Sequence, residues 1–252
     1  MENSITELPD LSIIILCYRS GNKIKEFVTV VLQVLEARGV SNYELVLVGN
    51  YHKDLKDDTP IVVSWLAVQN PKIKFVAKEK EGMMGWDMKS GLELARGNYL
   101  AVIDGDGQMP IEDLIRVYEK IKNESLDLVK TYRLNRGDSF LRKSISFIYN
   151  CVFAMLFPGT KSCDINSKPK IFSRESYQSF NLKSDDWFID AEIMIQSRRL
   201  GLHIAEIPTV FLGLEGRRSF IRPVAIIEFI KNLIIYRFRE FKYIKLKDNH
   251  RT

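Results

Sequence analysis

The fold is decided at Tyr99-Leu100-Ala101-Val102-Ile103-Asp104-Gly105-Asp106-Gly107-Gln108. The run Tyr99–Ile103 has the length and composition of a strand buried inside a sheet. Two carboxylates follow it, two positions apart, where such a strand would emerge. Like charges so close repel unless a cation lies between them. The two glycines let the backbone come close to a ligand. Carboxylate oxygens suit Mg²⁺ or Mn²⁺, which complete their coordination with substrate phosphates. An Asp-Gly turn joining two elements would use the same residues. Here, however, they follow a strand and lead through Gln108 and Pro110 into a helix with Glu112 and Asp113 in its first turn. The pattern therefore points to a metal held by Asp104 and Asp106 that in turn holds a diphosphate.

Working outward, short apolar runs alternate with helical stretches. Leu11–Cys17, Tyr43–Val48 and Ile73–Ala77 read as strands. Asn22–Arg38, Thr59–Gln69 and Gly85–Arg96 read as the helices between them. Strands apolar on both faces and separated by helices predict an α/β fold, a mainly parallel twisted sheet with helices on both faces. Ligands in such sheets bind beyond the carboxyl ends of the strands, which directs attention to the loops after Cys17, Val48 and Ile103. In the second half, Asp127–Tyr132, Pro169–Phe172 and His203–Phe211 read as strands, and Ser139–Phe157 and Trp187–Leu200 as helices. Ile221–Lys242 reads as a long amphipathic helix. No repeat or linker breaks the chain. We expect one domain over 1–220 and a basic amphipathic extension over 221–252.

Composition excludes several classes. The chain has 252 residues, 46% hydrophobic and 27% charged, which is globular. Three cysteines without a Cys-x-x-Cys pair argue against a zinc ribbon or a disulfide scaffold, and three scattered histidines against a His-built metal site. The polar, acidic start is no signal peptide, and no run reaches the roughly 18 apolar residues of a membrane span. The expectation is a cytoplasmic protein able to sit peripherally on the inner face of the membrane. Net charge is +5. From Arg217 to Thr252 ten Lys/Arg face three acids, a surplus of seven, which leaves −2 for the rest. This excess lies on an apolar helix with no nucleic-acid reading motif, so nucleic acid is not an expected partner. Ile227, Ile230, Ile234, Phe238 and Phe241 form an apolar stripe flanked by Arg222, Lys231, Arg237, Arg239 and Lys242. That suits anionic lipid, packing on the sheet, or a homodimer. Ser139–Phe157 carries a similar stripe at Ile145, Ile148, Val152 and Met155.

Asp104–Gln108, followed in order by Arg133, Arg142, Ser146 and Glu192, resembles the family 2 glycosyltransferases of the GT-A fold. The likeness is strongest to the branch of dolichol-phosphate mannosyltransferase and bacterial polyprenyl-phosphate glycosyltransferases, and runs from about Leu11 to Tyr236. It implies transfer of a sugar from a nucleotide-diphosphate donor, with Asp104, Asp106 and Gln108 around the metal and diphosphate. It implies a polyprenyl-phosphate or lipid-linked acceptor, with Arg133 holding phosphate and Arg142 and Ser146 on the acceptor phosphate. Positions four apart do project together from a helix. Alternatives are transfer to a hydroxyl of a growing surface glycan, and an inactive scaffold that kept the fold. Asp186 and Asp190 are candidates for the base that a hydroxyl acceptor needs. Both also suit an acid-rich helix start.

The chain departs from the family pattern in places. Leu16-Cys17-Tyr18-Arg19-Ser20 replaces the usual Pro-x-Tyr-Asn-Glu run. Gly49-Asn50-Tyr51-His52 replaces the element whose first Asp contacts the base, leaving Tyr18, Asn50 and Tyr51 as donor-site candidates through amide hydrogen bonds or ring stacking. Gly82, Gly85 and Asp87 match the glycine-rich donor stretch in position. Leu214 stands where an acceptor-phosphate Arg is often found, with Arg217 and Arg218 nearby. Asp164 to Lys170 occupies the place of an acceptor-side loop. Its Lys168 and Lys170 face phosphate or belong to an ordinary polar turn.

Overall fold

A computed structural model describes residues 8–136, 140–160, 162–212 and 229–240. The first half runs β1 (Leu11–Leu16), α1 (Lys23–Ala37), β2 (Tyr43–Val48), α2 (Thr59–Gln69), β3 (Ile73–Val76), α3 (Met84–Leu94) and β4 (Tyr99–Asp104). The second half runs α4 (Glu112–Asn123), β5 (Leu128–Arg136), α5 (Phe140–Leu156), β6 (Lys170–Ser173), α6 (Arg174–Ser179), α7 (Ile189–Leu200) and β7 (Ile204–Phe211). Residues 229–240 are helical.

The strands form one seven-stranded sheet in the order β3-β2-β1-β4-β6-β5-β7. The first four are parallel, with Leu16 opposite Val48 on one side and Asp104 on the other. Every residue of β1 is buried, as a central strand covered on both faces requires. Alternate side chains divide between two cores. Leu11, Ile13 and Ile15 meet Ile24, Val28, Val31 and Leu35 of α1 and Leu114 and Val117 of α4. Ile14 and Leu16 face the opposite layer, with Met88 and Leu92 of α3, Ile193 and Met194 of α7, and Phe153 and Phe157 beyond them. Helix α4 has acids in its first turn and Lys120 and Lys122 in its last, both favourable to its dipole.

The second half breaks the parallel pattern. Strand β6 runs antiparallel to both β4 and β5, while β5 and β7 are parallel. The beginning of β6 therefore lies at the same sheet edge as the end of β4. Val102 pairs with Lys170. Carrying that register two residues further on each strand sets Asp104 opposite Lys168.

The segment 229–240 packs on this body through Leu233, which is fully buried, with Phe229 and Tyr236 against the same core. Its opposite side exposes Ile230, Ile234 and Phe238, the last at 69%. The apolar stripe read from the sequence thus faces outward within the described residues; Ile227 and Phe241 lie outside them. On α5 the outward residues are Phe147, Ile148 and Met155, the last 73% exposed. The two helices adjoin where the Tyr149 and Phe229 rings meet at 5.4 Å.

Candidate active site

The carboxylates at the tip of β4 are held by local backbone chemistry. Asp106 Oδ1 accepts the Gln108 N–H at 3.0 Å, closing a tight turn. Gly107 adopts φ +72°, a conformation L side chains rarely take, so glycine is required there. The Asp104 side chain is 39% exposed, and Lys168 Nζ lies 3.6 Å from its Oδ2. Lys168 itself is only 3% exposed and donates at 3.0 Å to Asp190 Oδ2. The other oxygen of Asp190 accepts from Lys170 Nζ at 2.5 Å. Asp190 and Lys170 are completely buried. Burial alone would raise the Asp190 carboxyl, but the two ammoniums outweigh it and hold it below the usual carboxylate range. Burial pushes Lys170 down to about 8, with Asp190 opposing. Asp190 is thus an internal counter-ion screened from solvent, an arrangement that opposes proton abstraction.

Arg133, Asp186 and Glu192, singled out in the sequence, each have partners inside the protein. Arg133 makes a two-pronged pair with Asp164, at 2.5 and 2.8 Å. Asp186 accepts from Phe188 N–H at 2.8 Å and from Asn232 Nδ2 at 2.7 Å, so each of its oxygens has a partner. Glu192, almost fully buried, anchors the preceding loop by accepting from the N–H groups of Lys183 and Ser184, and it also receives the Tyr236 hydroxyl at 2.7 Å. Ser146 is half-buried on α5. The side chain of Arg142 and the whole of Arg217 and Arg218 lie outside the described residues.

A second cluster gathers beyond the ends of β1 and β2. Asn50 is fully buried, donates to Asp87 Oδ1 at 2.9 Å and accepts the Lys78 N–H at 2.8 Å. Its amide therefore bonds inside the protein. Asp87 also pairs with Lys80, and burial pushes its carboxyl above the usual range despite that partner. The Lys80 ammonium lies 4.3 Å from the centre of the Tyr18 ring, whose edge meets His52 at 6.0 Å. Tyr51 continues the edge through a bridge to Glu79. The glycines at the start of α3 serve packing. A Cβ on Gly82 would stand 2.8 Å from Asp185 Cβ, and one on Gly85 2.8 Å from the Asp186 carbonyl and closer still to that of Ser184. The first N–H groups of α3 are satisfied by the 185 and 186 carbonyls, through Met83, Gly85 and Trp86.

Among the described residues no three His, Cys, Asp or Glu side chains converge to hold a metal unaided. The donor set at Asp104 and Asp106 fits a hard divalent ion that takes its remaining oxygens from a diphosphate. Residues 12–181 match the sequence model of the family described as Glycosyl transferase family 2. The chain is a family 2 glycosyltransferase.

Curated relatives of this glycosyltransferase include a dolichyl-phosphate beta-glucosyltransferase of Dictyostelium discoideum, 24% identical over 91% of this chain and 74% of the relative. A dodecaprenyl-phosphate galacturonate synthase of Rhizobium johnstonii is 30% identical over 45% of this chain and 35% of its own. Among solved structures, glucosyl-3-phosphoglycerate synthase from Mycobacterium tuberculosis in complex with Mn²⁺, UDP-glucose and phosphoglyceric acid superposes with a TM-score of 0.67 at 16% identity, covering 92% of this chain and 80% of that one. At that identity the likeness carries the fold, which is GT-A. Sequence reasoning passed over Lys80, which sits in the charged run Lys78 to Glu81. It gave Lys168 no place at the carboxylates, because only the reversed direction of β6 brings it there.

Proposed function

We propose that this enzyme transfers a sugar, with inversion, from a nucleotide-diphosphate donor to a polyprenyl phosphate or another lipid-linked acceptor at the cytosolic membrane face. The observation that carries the reading is the pair Asp104 and Asp106 at the carboxyl end of β4, next to a cluster of buried cations. Mg²⁺ or Mn²⁺ held by Asp104 and Asp106, with Gln108 beside them, would offset charge gathering on the departing diphosphate. An acceptor oxygen attacks the anomeric carbon from the far side. The bond from that carbon to the diphosphate oxygen breaks, and its electron pair leaves with the nucleotide.

The state of the acids favours a phosphate acceptor. A hydroxyl would need a base, yet Asp190 is held by two lysines and both Asp186 oxygens are engaged. A lipid phosphate arrives already ionised. Arg133, Arg142 and Ser146 would receive it, with Arg217 and Arg218 as further candidates. The dolichyl- and dodecaprenyl-phosphate relatives support the same acceptor class. The outward apolar residues of α5 and 229–240 supply a surface for the bilayer on which such a lipid resides. On the donor side, Tyr18 and Tyr51 offer rings to the base, while Asn50, Asp87, Gly82 and Gly85 shape the wall behind them.

The test is donor turnover with Mg²⁺ or Mn²⁺, using UDP- and GDP-sugars and a short polyprenyl phosphate in detergent. Asp106→Ala should lose about a hundredfold or more in kcat. Full activity in Asp106→Ala rejects the metal assignment. Transfer to a polyprenol but not to its phosphate rejects the acceptor.

A further inference from the structure

We infer that Lys168 is a built-in cation of the donor site, one that holds Asp104 when no donor is bound and contacts the donor's diphosphate when it is. The inference deepens the reading above and rests on it.

The position follows from strand direction. Because β6 is antiparallel to β4, its register carries residue 168 to the tip where Asp104 ends its strand. The ammonium lies 3.6 Å from Asp104 Oδ2 and 3.0 Å from Asp190 Oδ2, with Met84 Sδ at 3.3 Å as its third neighbour. A thioether is a weak acceptor, so one of the three ammonium donors is poorly satisfied.

Charge leads to the same place. Lys130 pairs with Glu206 at 2.6 Å and Arg133 with Asp164, so these two cations have carboxylates of their own. Lys168 and Lys170 share the single buried carboxylate Asp190, which leaves one positive charge over. Asp104 is the partner of that surplus, at a distance longer than a close ion pair. A fixed, desolvated ammonium next to a carboxylate that also serves a metal has two opposite effects. It competes with a divalent ion for Asp104, and it attracts the phosphate oxygens that arrive with the donor.

The experiment measures two affinities on the full chain by calorimetry: Mn²⁺ alone, and UDP or GDP with Mn²⁺ at saturation. Lys168→Met should tighten Mn²⁺ binding by about threefold or more and weaken the nucleoside diphosphate by about tenfold or more. Lys168→Arg should keep the diphosphate within a few-fold of the native protein. Lys170→Met strips Asp190 of its other partner without removing the cation beside Asp104, and should lower the melting temperature without the paired, opposite shifts. If Lys168→Met does not fold, Lys168→Gln, which can still donate to Asp190, carries the comparison.

Opposite shifts in Lys168→Met alone support the inference. Unchanged affinities, or a fall in both that Lys170→Met reproduces, overturn it and make Lys168 a packing residue. A native protein that binds neither Mn²⁺ nor either nucleotide fails earlier, at the donor-site reading itself.

Discussion

Replacing Asp190 by asparagine separates an ionic scaffold from a reacting group. The native carboxylate is fully buried and takes Lys170 at 2.5 Å and Lys168 at 3.0 Å. The substituted amide would be nearly isosteric but neutral, and would leave two buried ammoniums facing one amide oxygen. Removing one partner of a buried ion pair costs ~3–5 kcal/mol, because the remaining charge stays desolvated. For a chain of this size each kcal/mol moves the midpoint of thermal unfolding by roughly 2–4 °C, so Asp190→Asn should melt about 6–20 °C lower. Circular dichroism during heating measures it. Adding Lys170→Met removes the stranded charge and should recover part of the loss, a coupling of about 1–3 kcal/mol.

The dependence on pH has a definite sign. The folded Asp190 carboxyl titrates below its ordinary 3.8, so its stabilisation is complete above that value and is lost as pH falls toward the lower folded one. Asp190→Asn should flatten this acid limb. Lys170 behaves in the opposite sense. Its folded value is about 8 against an ordinary 10.5, so the unfolded chain holds more protons between them and stability rises with pH over that interval. A variant Asp190→Asn that melts like the native protein but transfers no sugar would refute the scaffold argument and restore Asp190 as a base.

Gly85→Ala should cost about 1–3 kcal/mol, since its methyl would meet backbone carbonyls that cap α3 and cannot yield as a side chain would; chemical unfolding checks it. Ile230→Asp combined with Phe238→Asp should leave melting nearly unchanged, because both side chains are exposed, while abolishing sedimentation with anionic liposomes. Leu233→Ala, on the buried side of the same helix, should instead cost about 2–5 kcal/mol. Liposome binding unchanged in the double variant would mean the outward stripe is not a membrane surface.

The legible parts of the sequence were those governed by local rules. Strands β1, β2 and β4 announce themselves as apolar runs, and the turn after β4 carries its own chemistry in Asp106 and Gly107. The apolar run of β6 is equally plain, but its direction is not written in it. A residue's neighbour across a sheet depends on that direction, so Lys168 and Lys170 read as facing phosphate or as members of a polar turn, not as the partners of Asp104 and Asp190. Asp190 reads as a candidate base or as an acid favouring a helix start, and Glu192 as part of the family pattern. Being two apart on α7 they point differently, and each is buried against its own partners, lysines for one and the loop before the helix for the other. Arg133 reads as a phosphate ligand, and its ion pair with Asp164 was not legible because the two residues are 31 apart and meet only in the fold. The C-terminal stripe was visible, yet hydrophobic spacing alone could not tell which side of 229–240 would meet the core. Leu233 and Tyr236 took that side, and Asn232 and Tyr236 reach from it to Asp186 and Glu192.

The reversed strand also bears on how the protein is made. A ribosome that has released β1 to β5 has produced the acidic tip but none of the lysines that balance it from β6 and the residue pair before it. Until β6 slots between β4 and β5, those two strands have open edges and Asp104 has no ammonium opposite. Pairings this distant along the chain form slowly. The lysines facing Asp104 and Asp190 are therefore in place only once β6 has been made. A truncated product ending near residue 160 would contain the recognisable carboxylate signature and yet lack the lysines that face it.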